Sequence, residues 1–199
     1  MPDRSIPFYN TILRCDNYQP EMIDLQDGFS IVPFKPGYEK AWANLEYSIE
    51  DFVSVEEAER YFVSTYLKNQ NETNSILFMK NREGEIIGSC IAWHDERNGA
   101  IVSSLHWLVV DERYQGMGLG RALCCAVMNI FAGRGSFPVY IHTQPWSWKA
   151  ILLYDSLGFK LQKTDTFSEY VNQYDEAMAT IKGLLSDEKF KILQMHSEE

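Results

Sequence analysis

The chain has 199 residues and a formal net charge of -10, and 45% of its residues are hydrophobic and 14% aromatic. This composition is sufficient for one domain with a real core and excludes disorder for most of the chain. The negative charge argues against a general nucleic-acid binder, which needs clustered Lys and Arg. It is compatible with a cationic substrate such as an amine, although acidity for solubility alone is the more common reason.

The cysteines and the N-terminus indicate the cellular compartment. The four cysteines, Cys15, Cys90, Cys124 and Cys125, form no C-x-x-C pair, so no zinc site is expected. Reduced thiols are typical of the cytoplasm. The N-terminal MPDRSIPFYN has no apolar signal core, and no run approaches the about 18 apolar residues of a membrane-spanning helix. We therefore expect a cytoplasmic protein that binds neither nucleic acid nor a membrane.

The first third of the chain predicts a strand followed by two helices. Residues 1–28 are polar and irregular and form an expected N-terminal extension, with a short strand near residues 12–14 as an option. FSIVPF (29–34) is typical of a strand. Helical spacing of apolar residues follows in YEKAWANLEYSIEDF. Ser54 and Glu57 then form a capping box that opens a second helix, predicted to run to about residue 68.

The middle of the chain predicts three antiparallel strands, a helix and a strand. NSILFMK and GEIIGSCIAWHD are separated by the turn signal NREG and indicate a hairpin. GAIVSSLHWLVVD, after the ERNG turn, is a third strand. A helix over residues 119–132 and the short buried strand PVYIHT (138–143) follow.

The last part predicts a helix, a strand and a helical tail. WSWKAILLYDSLGF is a helix that Gly158 ends, and Phe159 begins another strand. From Ser168 the pattern is helical again, and the chain beyond Ser186 is charged. We therefore divide the chain into an N-terminal extension (1–28), a core (29–165) and a C-terminal helical extension (166–199).

Three alternating glycines mark the most informative stretch, LVVDERYQGMGLGRAL. Gly116, Gly118 and Gly120 follow a strand and begin a helix. Glycine allows a sharp turn and close approach of a ligand, and a helix start presents N–H groups and a positive dipole end. An anion site is predicted, with phosphate as the usual occupant. The G-x-G-x-x-G/A fingerprint fails because Arg121 takes its sixth position, and no Gly-Lys-Ser/Thr of a P-loop occurs.

The pattern that fits is Q-x-x-G-x-G, and it resembles the pyrophosphate loop of the GNAT superfamily of acetyl-CoA-dependent N-acetyltransferases. AILLYDSLGF, downstream, resembles that family's A-x-x-L-Y-x-x-x-G-F segment, and the likeness covers roughly residues 29–163 in element order. The resemblance implies an α+β (α/β/α layered) GNAT acyl-CoA acyltransferase fold. Its mixed, mostly antiparallel sheet would be splayed between strands 4 and 5, with helices on both faces.

The resemblance also implies acetyl-CoA as co-substrate, no metal, and a set of binding residues. Backbone amides of residues 115–121 would hold the pyrophosphate, and strand backbone at 108–110 would bind the acetyl and pantetheine parts. Ser147 stands where the family often has an Asn that contacts pantetheine, and a hydroxyl can also form that hydrogen bond. The set is Leu108, Val109, Val110, Gln115, Gly116, Met117, Gly118, Leu119, Gly120, Arg121 and Ser147.

Three further residues carry the chemistry that the resemblance implies. Tyr154 matches the tyrosine that protonates the departing thiolate. His106 stands where relatives that acetylate arylalkylamines have a histidine for proton removal, and His142 where ribosomal-protein alanine acetyltransferases have a glutamate base. An alkylammonium with a pKa of about 10 needs such a base at neutral pH, and histidine suits the task. Which histidine acts stays open.

Strand alternation and the acidic residues give two further expectations. Strict alternation places His106, Leu108 and Val110 on one face and Trp107 and Val109 on the other. In the family, two helices cap the acceptor site, and an acidic stretch there could steer an amine, although a solvated face is the more common explanation. That stretch comprises Glu46, Glu50, Asp51, Glu56, Glu57 and Glu59.

The leading hypothesis is therefore an N-acetyltransferase in which a primary amine attacks acetyl-CoA directly in a ternary complex. The alternatives are a GNAT-like domain that binds acyl-CoA as a sensor or scaffold without turnover, and acyl transfer to an O or S acceptor. The acceptor, a small molecule or a peptide amine, stays open, and so does a homodimer.

Overall fold

The computed structural model describes residues 3–68, 70–97 and 99–199. The chain forms two compact units. The first unit comprises residues 20–93 and 105–130, and the second comprises the N-terminal residues to 19, residues 94–104 and residues 131–199.

The described residues form strands and helices in the predicted order. The strands are β1 (Thr11–Cys15), β2 (Ser30–Pro33), β3 (Ile76–Lys80), β4 (Ile86–Arg97), β5 (Ala100–Val110), β6 (Val139–Thr143) and β7 (Lys160–Leu161). The helices are α1 (Glu39–Ser48), α2 (Val55–Tyr66), α3 (Leu119–Arg134), α4 (Trp148–Ser156), α5 (Tyr174–Lys182) and α6 (Asp187–His196). The predicted ERNG turn includes Asn98, which lies outside the described residues.

The strands form a seven-stranded sheet in the order β2-β3-β4-β5-β6-β1-β7. β2 with β3, β3 with β4, and β1 with both β6 and β7 pair antiparallel. β5 pairs with β6 in parallel at two register positions, Ser103↔Val139 and Ser104↔Tyr140. The predicted mixed, mostly antiparallel α+β fold is confirmed. The predicted strands 4 and 5 correspond to β5 and β6, and their short parallel pairing agrees with the splay expected between them.

The first unit has an aromatic core between α1, α2 and the sheet. Trp42, Phe62, Tyr66 and Phe78 are buried together there. The predicted capping box forms at α2: Ser54 Oγ accepts from Glu57 N at 3.1 Å. The Glu57 carboxylate accepts from Val53 N, one residue before the capping position. α2 ends at Tyr66, two residues before the predicted end at Lys68.

The second unit contains the optional strand near residues 12–14 and gives it an interior position that the prediction of an N-terminal extension lacked. The TILRC strand β1 pairs with β6 over five positions, from Thr11↔Thr143 to Cys15↔Val139. It also pairs with β7, and Ile12 and Leu13 are fully buried. The segment is therefore an interior strand and not a peripheral extension. Its apolar run is short, and its partners lie more than a hundred residues away, so local pattern could not assign them.

The C-terminal part is helical as expected, but its first helix begins later than predicted. The predicted helical segment from Ser168 begins only at Tyr174, and Ser168 itself has a φ of 51°, which a right-handed helix does not contain. The charged residues beyond Ser186 form α6, whose N-cap Ser186 accepts from Lys189 N. Close to the chain end, Glu198 forms a parallel bridge with Gln162.

Two further observations concern the earlier expectations. All four cysteines are buried and unpaired with one another as disulfides. Among the described residues, no helix combines the length and the apolar composition needed to cross a bilayer.

Candidate active site

In the first unit, the end of β5 has an irregular backbone. Trp107 has a φ of 51°, a left-handed value that is rare for a bulky residue and costs about 1–3 kcal/mol. Its ring lies 5.4 Å from Trp42, 5.5 Å from Phe52 and 5.6 Å from Tyr61 between centroids. These aromatic contacts hold the indole in place and offset the backbone cost.

This backbone conformation makes the predicted alternation wrong at this point. Trp107 packs against the aromatic core of the first unit, and His106 contacts the same core through Tyr66. A left-handed residue rotates the chain between neighbours, so adjacent side chains reach one side of the strand. Sequence periodicity contains no sign of this rotation.

His106 is held by a residue that the sequence did not single out. Its Nδ1 lies 3.0 Å from the Tyr66 hydroxyl oxygen, and Tyr66 is 1% exposed. The Trp93 ring packs edge-on against Tyr66 at 4.7 Å and lies 6.4 Å from the imidazole. Nδ1 is therefore directed into the core, and Nε2 is the ring nitrogen that this bond does not use.

The glycine turn has the backbone that the sequence predicts. Gly116 and Gly118 have φ values of 78° and 80°, and an added Cβ at either would meet no atom within 4 Å. The requirement for glycine here is thus conformational and not a lack of space. Residues 115–118 are exposed, and Gln115 Nε2 donates to Val110 O at 2.9 Å. The turn is braced against the strand end while its backbone faces solvent.

The segment between β5 and the glycine turn is anchored at its start. Asp111 N donates to Ile87 O at 2.8 Å, which ties it to β4. The Asp111 carboxylate accepts from Arg113 N at 3.0 Å, and its hydrogen bond with the Arg113 guanidinium lowers the pKa of that carboxyl. The entry to the turn therefore has a fixed conformation.

Arg121, at the start of α3, directs its side chain to a carboxylate. Its Nη2 lies 3.1 Å from Glu21 Oε2. Glu21 is fixed to α3 because its backbone N donates to Asn129 Oδ1 at 3.1 Å and its backbone O accepts from Asn129 Nδ2 at 2.9 Å. The expected contribution of residue 121 to an anion site thus concerns its backbone amide.

Gly88 on β4 supports the end of β5, and the sequence alone did not identify it. A Cβ at this position would lie 2.8 Å from Val109 O and 3.3 Å from Leu123 Cδ1. Any side chain would push the β5 backbone at the place where acetyl and pantetheine contacts are expected. Its φ is ordinary, so only the packing of two strands reveals the need for glycine.

In the second unit, His142 is fixed by a stacked ring and at one nitrogen. Its ring stacks on Tyr170 at 3.7 Å with an interplanar angle of 14°, and Phe8 lies 6.2 Å away. Nε2 lies 2.9 Å from Asn10 Oδ1, so this nitrogen donates to the amide oxygen. Asn10 and Phe8 come from the N-terminal segment that the sequence placed outside the core.

Tyr154 and Ser147 also lie in the second unit. Tyr154 is 5% exposed on α4, and its ring lies 6.1 Å from Phe159. Its carbonyl accepts from Leu157 N and Phe159 N, which ends the helix at the left-handed Gly158. Ser147 Oγ accepts from Gln144 Nε2 at 2.9 Å, so its hydroxyl already has one partner.

The acidic stretch of the first unit divides into two groups. Glu50, Asp51 and Glu56 are exposed and Glu57 and Glu59 are half-buried, whereas Glu46 is 1% exposed on α1. Burial, and to a lesser degree the charge of Asp51, raise the pKa of the Glu46 carboxyl well above its usual range. Glu46 is therefore unlike the solvated carboxylates beside it in the sequence.

Comparison with known families gives a match over the middle of the chain. The model of the "Acetyltransferase (GNAT) family" matches residues 40–159. A mycothiol acetyltransferase of Thermobispora bispora is 28% identical over 145 residues, which are 68% of this chain and 48% of that protein. A glucosamine 6-phosphate N-acetyltransferase of Trypanosoma brucei brucei is 32% identical over 87 residues, or 42% of this chain and 57% of that protein. The chain spans about half the length of the mycothiol relatives it matches.

Solved structures show the same fold. A GCN5-related N-acetyltransferase from Sphaerobacter thermophilus aligns with a TM-score of 0.59 at 20% identity, covering 77% of this chain and 48% of that one. The glucosamine-6-phosphate N-acetyltransferase from Arabidopsis thaliana aligns with a TM-score of 0.53 at 20% identity, covering 72% of this chain and 99% of that one. At such identities the likeness concerns the fold alone.

Proposed function

This chain belongs to the acetyltransferase (GNAT) family, and from that membership we propose that it transfers the acetyl group of acetyl-CoA to a primary amine. The observation that carries the proposal is the exposed turn in which left-handed Gly116 and Gly118 lead from β5 into α3. The family uses acetyl-CoA as co-substrate, and a turn of this kind suits its pyrophosphate.

The binding roles follow from backbone and not from charged side chains. N–H groups within residues 115–121 hold the pyrophosphate, because the first turn of α3 leaves its amides without intrahelical partners. Gln115 N contributes least, since it already donates to Glu112 O at 3.3 Å. The β5 backbone at residues 108–110, fixed by Trp107 and by the close approach of Gly88, binds the acetyl and pantetheine parts. Ser147 contributes a hydroxyl contact to the pantetheine arm.

The reaction needs two proton movements. The amine nitrogen attacks the thioester carbonyl carbon, a C–N bond forms, and the C–S bond breaks. A base takes the proton that the ammonium must lose, and the departing thiolate receives a proton from the phenol of Tyr154. A phenol with a pKa of about 10 is protonated at neutral pH and is a competent donor.

His106 suits the role of base better than His142. With Nδ1 bound to the buried Tyr66 hydroxyl, the nitrogen that meets a substrate is Nε2. In the neutral imidazole this nitrogen accepts a proton when Nδ1 carries the hydrogen. His142 has its Nε2 bound to Asn10 and its ring stacked on Tyr170, which are the contacts of a residue that fixes local structure.

The relative that is a glucosamine 6-phosphate N-acetyltransferase supports an amine acceptor for this chain. The rival function is an acyl-CoA-binding module without turnover, and transfer to an O or S acceptor is a further alternative. A binding module requires only the glycine turn. The Tyr66–His106 pair is an observation that favours catalysis, because a binder has no use for an oriented base.

The decisive experiment measures free CoA thiol released from acetyl-CoA when a panel of primary amines is added. We expect release that depends on the amine, and parallel calorimetry should show that acetyl-CoA binds. Alcohols and thiols of matched size serve as controls for the acceptor atom. Acetyl-CoA binding without release by any amine, alcohol or thiol would establish the binding module and contradict the proposal.

A further inference from the structure

One buried carboxyl of the first unit has no part in the proposed reaction. The Glu46 side chain is 1% exposed, and its Oε1 has no hydrogen-bond partner among the residues that the structure describes. A buried polar atom without a hydrogen bond destabilises the folded state. A ligand that donates a hydrogen bond to this oxygen would offset that destabilisation.

An aromatic residue shares the helix face of Glu46. Glu46 follows Trp42 by one helical turn on α1, and residues four apart lie on the same face of a helix. Trp42 is fully buried, stacks on Tyr61 at 6.3 Å with an angle of 14°, and lies 5.8 Å from Phe52. Aromatic faces attract cations, so the rings and the carboxyl favour the same ligand charge.

An open depression of about 780 Å³ borders this cluster. Phe52 and Tyr61 line it and also pack on Trp42. A ligand in the depression reaches these two rings directly. The other lining residues are Glu56, Glu57, Glu59, Arg60, Val63 and Ser64, three carboxylates against one guanidinium.

We propose that one of these rings moves aside and that Glu46, together with the rings of Trp42, Phe52 and Tyr61, then binds an ammonium group of the acceptor. The proposal rests on the amine acetylation proposed above and specifies its substrate class. The bound ammonium is not the nitrogen that reacts, because a carboxylate stabilises the protonated form and the nucleophile must be neutral. The acceptor is therefore a diamine or polyamine, with a second ammonium beside the reacting one.

The first test is calorimetry without acetyl-CoA, using 1,5-diaminopentane and pentan-1-amine, which share a chain and differ by one ammonium. We expect the diamine to bind at least about tenfold more tightly, which corresponds to about 1.4 kcal/mol. Glu46→Gln keeps the shape and should remove the difference. Glu50→Gln makes the same charge change on an exposed residue nearby and should keep it.

A third probe separates a cation site from a hydroxyl site. Trp42 Nε1 is also without a hydrogen-bond partner among the described residues. A hydroxyl could accept from this indole and donate to Glu46, whereas an ammonium only donates. We expect 5-aminopentan-1-ol to bind as weakly as pentan-1-amine. Binding as tight as that of the diamine would overturn the proposal in favour of a hydroxyl site.

Proton release gives a readout that a merely structural Glu46 would not change. Burial raises the pKa of Glu46, so the free carboxyl retains its proton above its ordinary range. Asp51 is the charge that acts on it, and Tyr61, Tyr66 and His106 are the titratable groups of the packed elements. Binding of the diamine in two buffers of different ionisation enthalpy should release up to about one proton per site.

The outcomes separate this proposal from the proposed function. No proton release by the wild type, or an unchanged diamine preference in Glu46→Gln, would overturn the ammonium site. Tight diamine binding without release of CoA thiol would leave the site standing while the proposed acetylation fails. If Glu46→Gln leaves the acetylation of every amine unchanged, the proposed acetylation stands and the ammonium site is overturned.

Discussion

Trp107 shows how one residue sets the chemistry of its neighbour. Its left-handed backbone turns His106 towards the aromatic core, where Tyr66 meets Nδ1 at 3.0 Å. In the proposed mechanism the Tyr66 hydroxyl on α2 accepts from Nδ1–H, which leaves Nε2 as the nitrogen that acts as the base.

The residue-scale prediction concerns this pair. In the wild type, kcat/KM should rise with pH as the base loses its proton. His106→Ala should remove this rise of kcat/KM with pH, and His142→Ala should not. Tyr66→Phe should lower kcat/KM by about tenfold or more, because the Nδ1–H tautomer loses its acceptor.

Nitrogen NMR of labelled His106 supplies a readout that is independent of turnover. We expect mainly the Nδ1–H tautomer in the wild type and a mixture in Tyr66→Phe. If His142→Ala alone loses the rise of kcat/KM with pH, His142 is the base and His106 is not. An unchanged tautomer in a less active Tyr66→Phe variant would show that Tyr66 acts through packing.

At the scale of elements, local signals were predicted well and long-range ones were not. The glycine turn, the hairpin and the Ser54 cap depend on neighbours within a few residues, and the structure has all of them. The interior position of β1 depends on pairing with β6, far along the chain. Gly88 likewise shows its importance only where two strands meet.

The functional residues follow the same rule. Tyr66 lies 40 residues before His106, so no motif connects them. Glu46 stood out only as one acid in a run of acids, and its burial comes from the packing of α1 against α2. The sequence alone predicts the chemistry of the glycine turn. Only tertiary packing shows that Tyr66 orients His106 and that Glu46 lies buried.

The element-scale prediction concerns the glycine turn. Gly118→Val introduces a branched side chain at a φ of 80°, which should distort the turn and abolish acetyl-CoA binding in calorimetry. Gly84→Val is the matched control in the β3–β4 turn, since the φ of Gly84 is 82° and an added Cβ there would also meet nothing within 4 Å. Both variants should lose similar stability towards urea, and only Gly118→Val should lose the ligand. Equal acetyl-CoA affinity in the two folded variants would remove the pyrophosphate assignment.

At the scale of the whole molecule, the buried Glu46 links global stability to pH. Its folded-state pKa is raised above the unfolded value of about 4.3. Below the unfolded pKa the carboxyl is protonated in both states and contributes no pH dependence. Above it the unfolded chain releases the proton first, so the native state binds more protons and the free energy of unfolding falls as pH rises.

We therefore expect Glu46→Gln to flatten the decline in stability between about pH 5 and neutrality, where one proton accounts for up to about 1.4 kcal/mol per pH unit. Urea unfolding at a series of pH values measures the effect, with Glu50→Gln as the exposed control. Because an amide cannot ionise, the variant should be more stable than the wild type at neutral pH and nearly equal to it near pH 4. Parallel curves for the wild type and Glu46→Gln would show that Glu46 ionises normally in the folded protein, and the proton release expected on cation binding would then have no source.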